Sequence, residues 1–195
     1  MVEAAIILPV LMVFLLGIIE FGLVYATGAT ATGASRSGAR LAAASFGPNP
    51  AATTLHNVTN TGPADNAAAA VSADLTALTS ATPIGVVIYA VDKTKTDGQP
   101  IGGFPTKTDT MTGCTSKCVR YTWDNTNKKM VYQSGTLTPA DFNVCNANPT
   151  ANPLGSVGVW VLIRHSYLTK LIGQYNYVDG LTVMRIEPVP SEQCA

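Results

Sequence analysis

The sequence predicts an α+β protein: one long N-terminal hydrophobic helix, then a small globular domain with one helix and an antiparallel sheet. Three observations carry that reading. Residues 4–19 contain no charged side chain, and an Ala/Gly/Ser/Thr run follows to residue 46. One later stretch, residues 64–78, has helical apolar spacing. Several short β-rich segments alternate with turn residues after that. The boundary between the two parts falls at 46/47, giving a helix over 1–46 and a globular domain over 47–195.

The opening helix is apolar on every face, so it belongs in lipid or inside a bundle of proteins. Its sixteen uncharged residues, 4–19, rise about 24 Å, against roughly 30 Å of hydrocarbon in a bilayer. A longer span has to include Glu20. An acid inside a membrane is costly, so Glu20 is expected near an interface, protonated, or partnered. Pro9 removes one helical hydrogen bond and crowds the preceding turn, which predicts a kink or loosened turn near residues 5–9. An acid at position 3, where a signal peptide carries Lys or Arg, points to an end exposed by processing.

From residue 26 to 45 nearly every residue is Ala, Gly, Ser or Thr, with Gly28, Gly33 and Gly38 five apart. Each Gly weakens a helix by about 0.8–1 kcal/mol relative to Ala. What the segment offers is thinness, because small side chains let another backbone approach. A continuous helix reaches roughly 65 Å, and Gly47-Pro48-Asn49-Pro50 ends it.

In the globular part, Val71, Leu75 and Leu78 mark the second helix. Strands are expected over 84–91, 118–123, 128–133, 157–164 and 181–186, with a turn at Asp124–Asn127 and one or two helical turns over 167–172. Residues 92–117 read as a long polar loop.

Lys and Arg total 12, as do Asp and Glu, and only 12% of residues are charged. That is about half the usual share of roughly 25%, and the absence of a basic cluster excludes an electrostatic footprint for nucleic acid. The four cysteines, Cys114, Cys118, Cys145 and Cys194, all follow the apolar helix. In an exported domain they favour disulfides over a metal site. Of the three possible pairings, Cys114–Cys118 with Cys145–Cys194 is preferred. No nucleophile elbow, metal-ligating His pair or phosphate-binding loop is present, so no catalytic residue, metal or cofactor is assigned. His165 is expected to anchor a strand end through hydrogen bonds.

The opening block Val2-Glu3, Leu8-Pro9 and Gly17-Ile18-Ile19-Glu20-Phe21-Gly22, with Ser35-Arg36-Ser37-Gly38-Ala39-Arg40 after it, resembles the TadE-like family. These are pilin-like proteins of the bacterial tight-adherence (Flp) pilus, within the type IV pilin superfamily. Softer matches follow in order: Cys118-Val119-Arg120-Tyr121, Val157–Val161 through His165–Thr169, and Met184–Pro188. The resemblance implies a pilin-like lollipop that a prepilin peptidase cleaves. Inner-membrane machinery then extracts it from the cytoplasmic membrane into an extracellular filament with copies of itself and other pilins. It assigns to Glu3 a pairing with the terminal amine, at Met1, of a neighbouring subunit.

Without the family, a wholly apolar helix still needs lipid or copies of itself. Burying about ten large apolar residues contributes on the order of 15–30 kcal/mol before entropy losses. Glu3 and Glu20 in such a core need cations. Arg36 and Arg40 are the nearest in sequence but lie about 24 Å or more from Glu20 along one helix, so a staggered neighbour would supply them. Two other readings compete. One is a membrane-anchored surface protein whose β domain binds a glycan on Trp160, Tyr121, Trp123 and Tyr132; the other is an anchored enzyme.

Overall fold

The computed structural model describes residues 2–47, 54–57, 59, 61–144, 154–170 and 173–187, with side chains from Ile7 onward. Helix α1 runs from Val2 to Ser45, 44 residues, or about 66 Å. Pro9 sits inside it without dividing it. Proline's fixed φ is compatible with a helix, and the missing amide removes one bond among many. Helix α2 (Pro63–Leu75) follows, shorter than the expected 64–78 at its far end.

Five strands form one antiparallel sheet: β1 (Ala81–Ala90), β2 (Cys118–Asp124), β3 (Lys129–Thr136), β4 (Ser156–Ser166) and β5 (Tyr175–Arg185), in the order β3-β2-β1-β4-β5. A short 3-10 turn occupies Pro139–Phe142. The α+β class is as expected, and several boundaries besides that of α2 differ: β1 starts three residues before position 84, and β3 ends three residues after position 133. Residues 167–170 form a bend instead of a helical turn, and Leu171 and Ile172 lie outside the described residues. Strand β5 starts six residues earlier than position 181, because it pairs with all of β4, from Ser156 opposite Arg185 to Ser166 opposite Tyr175. Asp179 and Gly180 hide that strand in the sequence. Pro83 is accommodated in β1 where the register against β4 shifts between Pro83 and Gly85.

Helices α1 and α2 cover one face of the sheet. The buried stripe of α1 is Thr27, Ala31, Ala34, Ser35, Gly38, Ala39, Ala42 and Ala43, in steps of one, three and four. The smallness of these residues is used to the limit. A Cβ on Gly180 of β5 would stand 2.3 Å from the Ala31 backbone. A Cβ on Gly38 would stand 2.6 Å from Val71 of α2. The core on this face includes Val86, Ile88, Val119, Tyr121, Val157, Val159, Val161 and Ile163.

The other face is covered by the loop after β1. Val87, Tyr89, Trp160 and Leu162 are buried with Met111, and Phe104 packs against them. The loop is tied down at both ends of the patch. The Tyr89 hydroxyl donates to the Gly98 carbonyl at 2.7 Å. Lys107 pairs with Asp179 at 2.7 Å, and Arg164 pairs with Asp109 at 2.6 Å. The Cys114–Cys118 disulfide staples the loop to the start of β2. The second expected pair, Cys145 and Cys194, lies outside the described residues.

The close approach of α1 to β5 makes a direct contrast between two glycines. Gly180→Ala should lower the stability of the detergent-solubilised chain by about 1–3 kcal/mol, since backbone must move. Gly33→Ala, with open space around it, should be neutral or stabilising by up to about 1 kcal/mol. Thermal unfolding followed by tryptophan fluorescence reads both.

Candidate functional site at the junction of helix and domain

The apolar half of α1 meets the domain at a buried polar cluster. Glu20 is only 2% exposed although it follows thirteen residues that are exposed or nearly so. Its Oε1 accepts the Thr169 amide at 2.6 Å and the Thr169 hydroxyl at 2.9 Å. Thr169 belongs to the bend between β4 and β5, so the acid partners its own domain. Its second oxygen, Oε2, is buried without a hydrogen-bond partner among the described residues.

Two turns further along, the Thr27 hydroxyl donates to the Leu23 carbonyl at 2.9 Å and lies 3.0 Å from His165 Nδ1. A hydroxyl has one proton. With that proton on Leu23, Thr27 can only accept from His165, which fixes the Nδ1–H tautomer. His165 Nε2 is then an acceptor, buried and, like Glu20 Oε2, without a partner among the described residues. Burial lowers the His165 pKa below its ordinary value, and the negative charge of Glu20 opposes that shift. His165 is fully buried and does anchor the end of β4, as expected from its position. Ser35 continues the seam with a 2.8 Å hydrogen bond to Thr182 of β5.

The remaining residues singled out in the sequence are spread apart. Arg36 and Arg40 are exposed on the side of α1 turned away from the sheet and form no ion pair among the described residues. Met1 and the side chain of Glu3 lie outside the described residues. The four aromatic residues do not form one surface. Tyr121, Trp123 and Tyr132 pack with the helix-side core, and Trp160 packs beneath the loop on the opposite face. Strand alternation separates them.

A second polar node escaped the sequence reading. Asp65, at the third position of α2, accepts from the Gly62 amide at 2.9 Å, the Asn57 amide at 3.2 Å and the Tyr121 hydroxyl at 2.9 Å. His56 pairs with it at 2.6 Å and stacks on Tyr132 with ring centroids 3.6 Å apart. Burial, then the Asp65 charge, raises the Tyr121 pKa. Only the acid in the first turn of a helix hinted at this node; His56 gave no signal. Asp65 and Tyr121 border a groove of about 410 Å³ between α2 and β3, also lined by Lys128 and Lys129. The Asp65 contacts cap the helix, hold the preceding His56–Asn57 segment and join the helix to β2, which is structural work.

Residues 1–40 match the family model of TadE-like protein. The chain is therefore similar to TadE-like, Tad-pilus-associated proteins over its N-terminal segment, as the opening motifs implied. The matched segment and the apolar helix are consistent with a membrane-anchored or cell-surface location. No curated protein and no solved structure matches the chain.

The His165 pocket sets a pH dependence. A histidine whose folded pKa is depressed stays neutral while the unfolded chain gains a proton. Stability is thus complete above the ordinary value of about 6.5 and falls as pH drops through the window below it. The melting temperature should decline between pH 7.5 and 5, and His165→Gln should flatten that decline. Thr27→Val, which strands the ring N–H, should cost about 1–3 kcal/mol at neutral pH.

Proposed function

We propose that this chain is a structural, non-catalytic pilin-like subunit that polymerises through α1 into an extracellular bacterial pilus used for surface attachment. The observation that carries this reading is the surface of α1 from Ile7 to Ile19. Its large apolar side chains are 38–69% exposed on all sides of the helix, whereas from Glu20 onward one stripe of the helix is buried against the domain. An apolar surface of that extent is stable only in lipid or against another apolar surface. A bilayer holds it before assembly, and the helices of neighbouring copies hold it in the filament.

The other proposed partners follow from the TadE-like segment: a prepilin peptidase, the inner-membrane assembly machinery and other pilins. In the assembled fibre Glu3 is proposed to pair with the Met1 amine of a neighbour. Arg36 and Arg40, exposed and uncommitted, supply cations to a staggered copy. Glu20 needs such help less, since Thr169 of its own chain already donates to it twice. A ligand-binding surface protein is the second reading. The groove between α2 and β3 is the feature that favours it, and the separated aromatic residues argue against a sugar platform.

Electron microscopy of material sheared from cells, with the chain immunolabelled, tests the assignment. Fibres bearing label are expected; recovery solely as detergent-soluble monomer would rule out polymerisation and leave the anchored reading. Within the filament reading, Leu15→Arg places a charge costing about 2.5–3.5 kcal/mol at the centre of the apolar stretch, and fibres should vanish. Arg36→Glu together with Arg40→Glu should reduce fibre yield severalfold, and unchanged yield would count against the proposed cation role.

A further inference from the structure

The pairing registers show which end of the domain faces the apolar helix. Ala81 at the start of β1 lies opposite His165 near the end of β4. Gly85 lies opposite Thr122, so the β2–β3 turn is at the same end. Ser166 lies opposite Tyr175, the start of β5. Contacts between α1 and β5 descend toward that end, from Ser35 with Thr182 to Ala31 with Gly180 and Gly28 with Val178. Below them, Glu20 takes Thr169.

That end carries exposed apolar side chains beside exposed polar ones such as Asn127, Gln174 and Asn176. Leu168, at the tip of the bend, is 65% exposed, and Tyr175, paired with Ser166 at the start of β5, is 48% exposed. On α1 at the same level, Phe21 and Tyr25 are exposed one turn apart. Lys170 of the bend, Lys128 of the β2–β3 turn and Lys129 at the start of β3 are also exposed. Aromatic side chains, one exposed leucine and a fringe of lysines just beyond an apolar span is the composition of a bilayer interface. The length agrees: from Val2 to Ile19 α1 rises about 27 Å, close to the roughly 30 Å of hydrocarbon. Glu20 therefore emerges where the headgroups begin.

We infer that the bend Tyr167–Lys170 is a lipid-surface seat. Leu168 enters the boundary between headgroups and acyl chains of the bilayer that holds Ile7–Ile19, flanked by Tyr25 and Tyr175, while Lys170 stays at the phosphate level. Glu20 positions the seat: its two bonds from Thr169 hold the bend against α1, so helix depth and domain height are set together. The inference rests on the reading that α1 occupies a bilayer before assembly.

The test uses the full chain reconstituted in phosphatidylethanolamine–phosphatidylglycerol vesicles that carry a nitroxide quencher near the headgroup or near the acyl-chain end. Trp123 and Trp160 provide the background emission of the parent chain. Leu168→Trp should add blue-shifted emission, of which about half or more is lost to the shallow quencher, matching a depth of about 5–10 Å. Phe14→Trp, in the apolar stretch, should respond to the deep quencher. Added emission from Leu168→Trp that is water-like, or blue-shifted yet insensitive to both quenchers, overturns the seat while Phe14→Trp still reports insertion. In the second case a neighbouring protein surface covers Leu168. If Phe14→Trp is also unquenched, α1 is outside the bilayer, and the membrane stage of the proposed function fails with the seat.

Discussion

The whole architecture depends on how closely one helix can lie on one sheet. Along residues 27–46, α1 presents almost nothing larger than a methyl or hydroxyl group, and Gly180 on β5 has no side chain at all. Backbone therefore meets backbone at Ala31, where even a Cβ does not fit. Gly38 gives the same clearance to α2 through Val71. That closeness welds half of a helix about 66 Å long to the domain and leaves the other half projecting with its large apolar side chains bare. The composition of the helix changes where its environment changes: branched and aromatic residues are in the projecting half, small ones in the packed half.

Glu20 marks the changeover. A carboxylate at the end of an apolar stretch could be a liability, yet it is nearly enclosed and accepts two hydrogen bonds from one threonine of the β4–β5 bend. The bond to a backbone amide is indifferent to side-chain identity, so the carboxylate grips the path of the chain there. Thr27 and His165 repeat the device two turns later, with a tautomer dictated by the single proton of the threonine hydroxyl. Together the two pairs tie the lowest part of the sheet to the helix, where leverage from the projecting half is greatest. Two acceptors, Glu20 Oε2 and His165 Nε2, are left without a hydrogen-bond partner among the described residues at the same junction.

The opposite face of the sheet is held by other means. A loop poor in apolar residues covers Trp160 and Tyr89, with Phe104 and Met111 as its large apolar contributions and Val91 and Cys114 beside them. Ion pairs to Arg164 and Asp179, the Cys114–Cys118 bridge and hydrogen bonds to backbone carbonyls do the rest. Such a cover costs little helix or strand propensity and leaves its outer surface polar.

The sequence by itself determined the long helix, its unbroken apolar opening, its thin second half, the second helix and the antiparallel sheet. These are written in local terms: hydrophobic period, residue size, and Gly and Pro at the ends. It also exposed the TadE-like motif, because that motif is contiguous. Only the tertiary structure decided who meets Glu20. Thr169 is 149 residues away, and neither its hydroxyl nor its amide announces a partner in the sequence. The same holds for Asp65 with His56 and Tyr121, brought together by α2 lying across β2. The early start of β5 was hidden for a related reason. Its first half contains Asp179 and Gly180, poor strand formers, and it is a strand because β4 offers a full edge and α1 needs a gap in the side chains at Ala31. Long-range contacts select such residues, and local propensity cannot report them.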